Sequence, residues 1–476
     1  MAMLAEIAQT PGRYLVAAPR TDLCDEHAVR LRDHDVPEIL VIHSDQSVRG
    51  DIDRRLREAL ERTDPHLVVV CTHTGLMGLG RNDVDGWHVK LDELPEGAVL
   101  AGAVGLAASW PSMSKRYSLV PTAEEGWSRL ECRPDAIDLG LGQLTADVSA
   151  DLLPLHRIAE SRGRTVEVCL ADWQDAAVGN QKIPWRSLWS IAALRGCASL
   201  TVAAASYRGS IAERAVARDG GVRITFDSVR VAREGQPQIR IHWYATHEGS
   251  TSWWDTETGS YCLVQISRHL EAIAFSGYWT SNDKLRPYFV HRFPGENCNP
   301  RVAGTNSLIH HTACAIIYSA KALPSDGPII DVFQISDDVI CEAREDEDIY
   351  QFVTRGMIRE PKYAGPYDVY VYNQSQANRL RARLSGSGYT DVVTVSVPEA
   401  GILDIERPTS KHKGAVDIDI ETAKERDARR REKEAARGQK RRAAEKAKKI
   451  AEGSYVPPGR QPRAGRVANN ECGGAS

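Results

Sequence analysis

The residues best suited to chemistry in this chain are an acidic pair at the end of an apolar run. Trp87-His88-Val89-Lys90-Leu91 has the composition of a strand, and Asp92-Glu93-Leu94-Pro95 follows it directly. An Asp at the C-terminal end of a strand can hold a metal ion on a nucleotide phosphate, and the Glu after it can orient or activate water. Such a pair ordinarily works with a Gly-rich loop ending in Gly-Lys-Ser/Thr. No Gly-Lys pair occurs in the 476 residues.

Further segments carry groups suited to phosphate. Gln351, Arg355 and Arg359 advance by four, so a helix from Gln351 to Arg359 would set them along one face. A Gln and two Arg on one face can read a nucleotide and clamp its terminal phosphate, because the guanidinium fork stays charged and matches phosphate oxygens. The ordinary alternative is a surface helix with solvated charges. In Arg301-Val302-Ala303-Gly304-Thr305-Asn306, Gly304 and the short polar Thr305 and Asn306 allow close approach to phosphate or sugar, or else cap a helix over 309–322. Pro19-Arg20-Thr21 and Thr72-His73-Thr74-Gly75 each stand where a strand gives way to a helix. They bring polar groups and helix N-termini to the edge where open α/β sheets bind ligands.

The elements that must position these groups read as alternating strands and helices. Tyr14–Ala18, Glu38–His43, Leu67–Cys71 and Trp87–Leu91 are apolar strand candidates, with helices expected over Asp25–His34 and Val48–Arg62. This alternation predicts a parallel sheet covered on both faces. Residues 111–195, with Trp127, Trp173, Trp185 and Trp189 in segments of mixed period, read as a mostly helical stretch, followed by a strand over Ala198–Ala205. A second α/β unit runs over 211–405, with strands at Val222–Phe226, Ile239–Tyr244, Ile329–Phe333, Asp368–Tyr372 and Val392–Val397, and helices at Ile309–Ala322 and Ser375–Leu384. The expected division is 1–210, 211–405 and a tail over 406–476.

Composition narrows the class. Hydrophobic residues make up 42% of the chain and charged residues 26%, enough for ordinary packed cores. No uncharged apolar run is long enough to span a bilayer, and the N-terminus lacks the pattern of a secretory signal. The ten Cys are scattered without a Cys-x-x-Cys pair, which fits a cytoplasmic protein without disulfides. His310-His311 near Cys314 is the one local cluster of metal-ligand types, and it reads as a helix start beside a buried Cys. Residues 421–450 hold thirteen Lys/Arg against six Asp/Glu, an excess of +7, so the rest of the chain carries −11 of the net −4. This segment predicts a solvated charged helix, followed by a disordered end; it could contact nucleic acid or protein, or simply remain solvated.

Taken in order, the strand-end Pro-Arg-Thr, strand-end Thr-His, Asp-Glu-x-Pro, Ala-Ala-Ala-Ser strand end, Gly-Thr-Asn loop and Gln-x3-Arg-x3-Arg segment resemble the superfamily 2 helicases and translocases, the broad DEAD/DEAH-like group. The resemblance covers about residues 5–400. It implies two RecA-like parallel-sheet domains on the P-loop NTPase plan, with ATP and Mg²⁺ in the cleft between them and nucleic acid, single-stranded or duplex, across the top. It further implies Asp92 as the Mg²⁺ ligand and Glu93 acting on the attacking water. Gln351, Arg355 and Arg359 would face ATP, with Arg355 or Arg359 as the arginine finger and Gly304 and Thr305 at the nucleotide. Arg20, Thr21, Thr72, His73 and Asn306 would lie along the nucleic acid, and Ala203 to Ser206 would couple the two sites. DNA is favoured over RNA as partner, and a phage or other mobile element as source. Trp243, Trp253, Trp254 and Trp279 are candidates for base stacking or for core packing.

The sequence departs from the family in three places. The final arginines are four apart where the family has three, the coupling element has Ala where hydroxyls are usual, and the phosphate loop is missing. Met1–Gln9 reads as the helix that would follow that loop. Either Met1 is internal and some 20–40 further residues carry a strand and Gly-Lys-Thr, on the scale of a βαβ unit (~30 residues), or the chain has lost ATPase activity. The first is favoured, and the chain as written is expected to be impaired. The competing function is a non-catalytic nucleic-acid-binding or adaptor protein on the same fold.

Overall fold

The computed structural model describes residues 2–46, 51–95, 97–105, 110–136, 153–175, 182–204, 207–227, 233–301 and 307–407. The expectations for the basic tail, for Gly304, Thr305 and Asn306, and for Ala205 and Ser206 lie outside the described residues. No helix among the described residues is long and apolar enough to cross a membrane.

The protein is a mixed α/β structure with two parallel sheets. The first sheet takes β1 (Arg13–Ala18), β2 (Ile39–Ile42), β3 (Leu67–Thr72) and β4 (His88–Asp92), and is completed by a strand more than a hundred residues further on. β1 and β3 are almost continuously apolar because helices cover both of their faces. Their side chains separate strictly by parity. Leu15 and Ala17 join Leu67, Val69 and Cys71 beneath Leu56, Ala59 and Leu60 of the helix Ile52–Leu60. Tyr14, Val16 and Ala18 join Val68 and Val70 beneath the helices Ala2–Gln9 and Thr21–Asp33, which supply Leu4, Ile7, Leu23, Cys24 and Leu31. A register slip of one residue would exchange the two sets.

Between β4 and the last strand of this sheet lies a five-stranded antiparallel sheet: β5 (Val99–Gly105), β6 (Tyr117–Pro121), β7 (Trp127–Cys132), β8 (Thr165–Cys169) and β9 (Lys182–Leu188), in the order β5-β9-β8-β7-β6. The expectation of a mostly helical 111–195 is therefore corrected. In β7 Ser128 and Leu130 are buried with Arg129 exposed between them, and Trp127 and Trp185 sit on strands. Arg186 of β9 is fully buried, bonded to Glu167 and Glu124 and set 4.0 Å over the Trp127 ring. β10 (Ser199–Ala203) then returns to the first sheet, whose order is β10-β4-β1-β3-β2.

The second sheet has β11 (Gln238–Ala245), β12 (Tyr278–Ser281), β13 (Glu296–Asn297), β14 (Ala313–Ile317), β15 (Pro366–Asn373) and β16 (Val392–Ser396), in the parallel order β13-β12-β14-β15-β11-β16. Four expectations fail here. Val222–Phe226 is irregular and follows Gly220 and Gly221, both at positive φ. Ile329–Phe333 lies in a helix, Gly327–Phe333, entered through Pro328. The helix expected over Ile309–Ala322 is instead the end of a turn, the strand β14 and an irregular segment after it. Short apolar runs do not distinguish a buried strand from a buried helix turn. Last, the helix carrying Gln351 is Glu347–Val353 and stops before Arg355. Trp253, Trp254 and Trp279 are core residues, and Trp243 packs on the core partly buried.

Candidate nucleotide site

Parallel strands end together, and the registers Ala18↔Thr72, Ala17↔Leu91 and Asp92↔Ala203 put the loops after β1, β3, β4 and β10 at one sheet edge. Arg20-Thr21, Thr72-His73 and Asp92-Glu93 stand there side by side. That edge is where open parallel sheets carry their ligand sites.

Two imidazoles hold Asp92. His27, on the helix Thr21–Asp33, places Nε2 2.9 Å from Asp92 Oδ2, and His73 places Nε2 3.0 Å from the Asp92 carbonyl oxygen. Both rings are buried. Burial pushes the His73 pKa down to about 4, so its ring is neutral at pH 7 and its Nε2–H donates to that carbonyl. Burial opposes the charged form of Asp92, but the His27 hydrogen bond and charge outweigh it and hold this carboxyl below its ordinary value. Asp92 is thus a pre-ionised, oriented oxygen donor, a quarter exposed at its side chain. A hard divalent cation such as Mg²⁺ takes such a ligand.

Glu93 leaves the sheet by a left-handed turn, with φ +68°, while its amide donates to the Ala203 carbonyl at 2.8 Å and so prolongs the β4–β10 ladder. This conformation costs a non-glycine residue about 1–3 kcal/mol and tends to persist where function requires it. It faces the carboxylate toward the second sheet's elements. Arg355 Nη2 lies 3.7 Å from Glu93 Oε1 and donates to Gln351 Oε1 at 2.8 Å. Gln351 Nε2 donates to Glu347 at 2.8 Å and stands 3.5 Å from Glu93 Oε2.

Burial pushes the Glu93 pKa up, against the Arg355 charge, and pushes the Arg355 pKa down, against the Glu93 charge. Desolvation therefore costs each partner more than a 3.7 Å pairing returns. Arg355 Nε is also buried without a hydrogen-bond partner. The guanidinium is poised beside the acidic pair with donor capacity to spare, and a phosphoryl oxygen is the acceptor its fork matches.

Gly356 makes this position attainable. A Cβ there would meet the Tyr367 hydroxyl at 2.2 Å and the His311 carbonyl oxygen at 2.9 Å, so the chain after Arg355 passes where no side chain fits. Arg359 then falls in a separate 3-10 turn, Met357–Arg359, and is exposed. The four-residue spacing of the two arginines does not place them on one helix face, although the Arg359 and Arg20 charges do add to the depression of the Arg355 pKa.

The other expected site residues are spread along the same edge. Arg20 bonds to Asp22 and donates to the Arg301 carbonyl at 3.3 Å, linking the loop after β1 to the second sheet's loops. Thr21 opens its helix, half-buried. Thr72 accepts from the Gly75 amide at 3.3 Å and caps the helix His73–Gly78. His73 is directed inward to Asp92 and away from the surface. His27 is the functional candidate that sequence reading passed over, since nothing local marks a histidine in mid-helix as the partner of a carboxylate 65 residues later. Lys90 was also passed over. It is buried two residues before Asp92, with Glu6 at 2.9 Å and Thr201 at 3.1 Å.

No known family model matches this chain, and no curated protein matches it by sequence. Among solved structures it is similar to XPD helicase, with 7% identity over 83% of this chain and 94% of that chain at a TM-score of 0.41. It is also similar to S. cerevisiae Dbp5 bound to RNA and ADP BeF3, with 9% identity over 81% and 78% at 0.32, and to T4 UvsW, with 9% identity over 83% and 70% at 0.20. At these identities and TM-scores the likeness assigns no role to any residue, and Asp92, Glu93, Gln351 and Arg355 stand on their own geometry.

Proposed function

We propose that the chain is an ATP-dependent nucleic-acid helicase or translocase of the DEAD/DEAH-like type. The observation that carries this reading is the meeting of Asp92-Glu93, at the end of β4, with Gln351 and Arg355 from the second parallel-sheet unit. A carboxylate suited to a metal ion, a second carboxylate beside it and a guanidinium from the second parallel-sheet unit form a donor set for phosphoryl transfer to water.

In this reading Asp92, ionised and oriented by His27, would hold Mg²⁺, which would supply charge neutralisation on the phosphates. Glu93, with its pKa raised by burial, orients the attacking water and takes its proton. Arg355 is the finger, since it is the buried arginine at the acidic pair, and Arg359 flanks it. Gln351 fixes Arg355 and reads the nucleotide; Gly304 and Thr305 are proposed to lie beside it. Arg20, Thr21, Thr72 and Asn306 are proposed along the nucleic-acid path, where helix N-termini and a cation suit phosphates. The same proposal divides the chain at 1–210, 211–405 and 406–476.

The test is Mg-ATP hydrolysis, with and without single-stranded DNA or RNA, by the purified chain extended through any in-frame codons upstream of Met1. Hydrolysis stimulated by the single strand supports the motor. Single-strand binding with neither nucleotide binding nor hydrolysis would support the non-catalytic adaptor reading.

A further inference from the structure

Glu296, His310 and His311 bring three ligand atoms within 4.8 Å of one another on the second sheet's side of the molecule. They come from two separate pieces of chain. Glu296 stands on β13, whose register with β12 is Tyr278↔Glu296, and its amide donates to the Gly277 carbonyl at 2.9 Å. His310 and His311 end the turn that enters β14, with their ring centroids 4.0 Å apart.

The turn is held from below. The His311 amide donates to Leu308 at 3.1 Å, its carbonyl accepts from Met357 at 2.8 Å, and its ring packs 5.5 Å from that of Tyr278. Tyr278 is buried and bonded to the Phe352 and Val353 carbonyls. The backbone and one of the two rings are thus fixed before any ligand arrives.

His311 Nε2 is 3.2 Å from Glu296 Oε2. Two ligands on a tetrahedral centre with bonds of about 2.0–2.1 Å stand roughly 3.3 Å apart. Their present separation therefore needs little change to admit a cation between them. His310 and Glu296 are exposed, so the cluster opens to solvent and leaves room for water as a further ligand.

We infer that Glu296, His310 and His311 form a binding site for a late first-row divalent metal ion, with zinc as its natural occupant. Two imidazoles and one carboxylate suit zinc, and they suit Mg²⁺ or Ca²⁺ poorly because those ions prefer all-oxygen shells. Bound metal ties the turn before β14 to the edge strand β13 and braces the backbone that receives Met357, two residues after Arg355. The inference does not depend on the nucleotide reading, since none of its three ligands belongs to that site.

The experiment is a titration of the untagged full chain with Co²⁺, then with Zn²⁺ as competitor, followed by visible absorption and calorimetry. One equivalent bound with low-micromolar or tighter affinity, nitrogen and oxygen ligation without a thiolate charge-transfer band, and at least ten-fold weaker binding in both His310→Ala and Glu296→Gln are expected. Both side chains are exposed, so these variants should fold as the parent does. No equivalent bound, binding unchanged in the two variants, or a thiolate signature from the cysteines would each overturn the inference.

Discussion

Arg355 Nη2 stands 3.7 Å from Glu93 Oε1, and both groups are destabilised in their charged forms by the burial that brings them together. An ion pair built for stability would have closer contact and no spare donors. This one is loose, with Arg355 Nε unpartnered, as suits groups that engage a third body between them.

Arg355→Lys keeps a charge but loses the fork. ATP turnover should fall about 10³-fold, the lower end of the range for an arginine finger, with KM changed only a few-fold. Arg359→Lys should lower turnover far less, because Arg359 is exposed on a separate turn. Steady-state kinetics of both variants check the assignment; equal losses would contradict it.

His73 is held neutral, with its pKa depressed from 6.5 to about 4. A depressed folded-state pKa means the unfolded chain binds the proton first as pH falls. The contribution is therefore complete above pH 6.5 and is lost progressively down to pH 4. At pH 4.5 the loss amounts to ~2–3 kcal/mol. His73→Gln should flatten the dependence of the urea midpoint on pH over this window, and an unchanged slope would mean that His73 is not the buried neutral group described.

Lys90 and Glu6 should respond asymmetrically. Lys90 is buried while Glu6 is half-exposed, at 3% and 56% of their side chains. Lys90→Met leaves a solvated Glu6, and the stability change should stay within about 1 kcal/mol. Glu6→Ala strands the Lys90 charge in the interior with Thr201 as its remaining partner, at a cost of about 3 kcal/mol or more. Chemical denaturation of the two variants measures the difference; equal effects would show that water reaches Lys90.

What could be read from sequence follows from how local each signal is. β1 and β3 announce themselves as apolar runs followed by polar loops, and the acidic pair needs only the end of β4 to be placed. The antiparallel sheet between β4 and β10 stayed hidden because its buried positions include polar side chains such as Arg186, Ser187 and Glu167, and because β5, β6 and β7 are largely half-exposed. β14 and the helix Gly327–Phe333 exchanged identities because each is a short apolar run whose state is decided by its neighbours. Arg359 was misplaced because a period-four pattern continues through Gly356, where the backbone turns to clear Tyr367. His27 could not be found at all, since its role exists only once the helix Thr21–Asp33 lies against the end of β4.

The central claim is that Glu93 acts on the water in an ATP site completed by Arg355. The most direct measurement pairs Mg-ATP binding with single-strand-stimulated hydrolysis in Glu93→Gln of the chain extended through any in-frame codons upstream of Met1. The account predicts that nucleotide affinity stays within a few-fold of the parent while turnover is abolished. Turnover surviving in Glu93→Gln would contradict it.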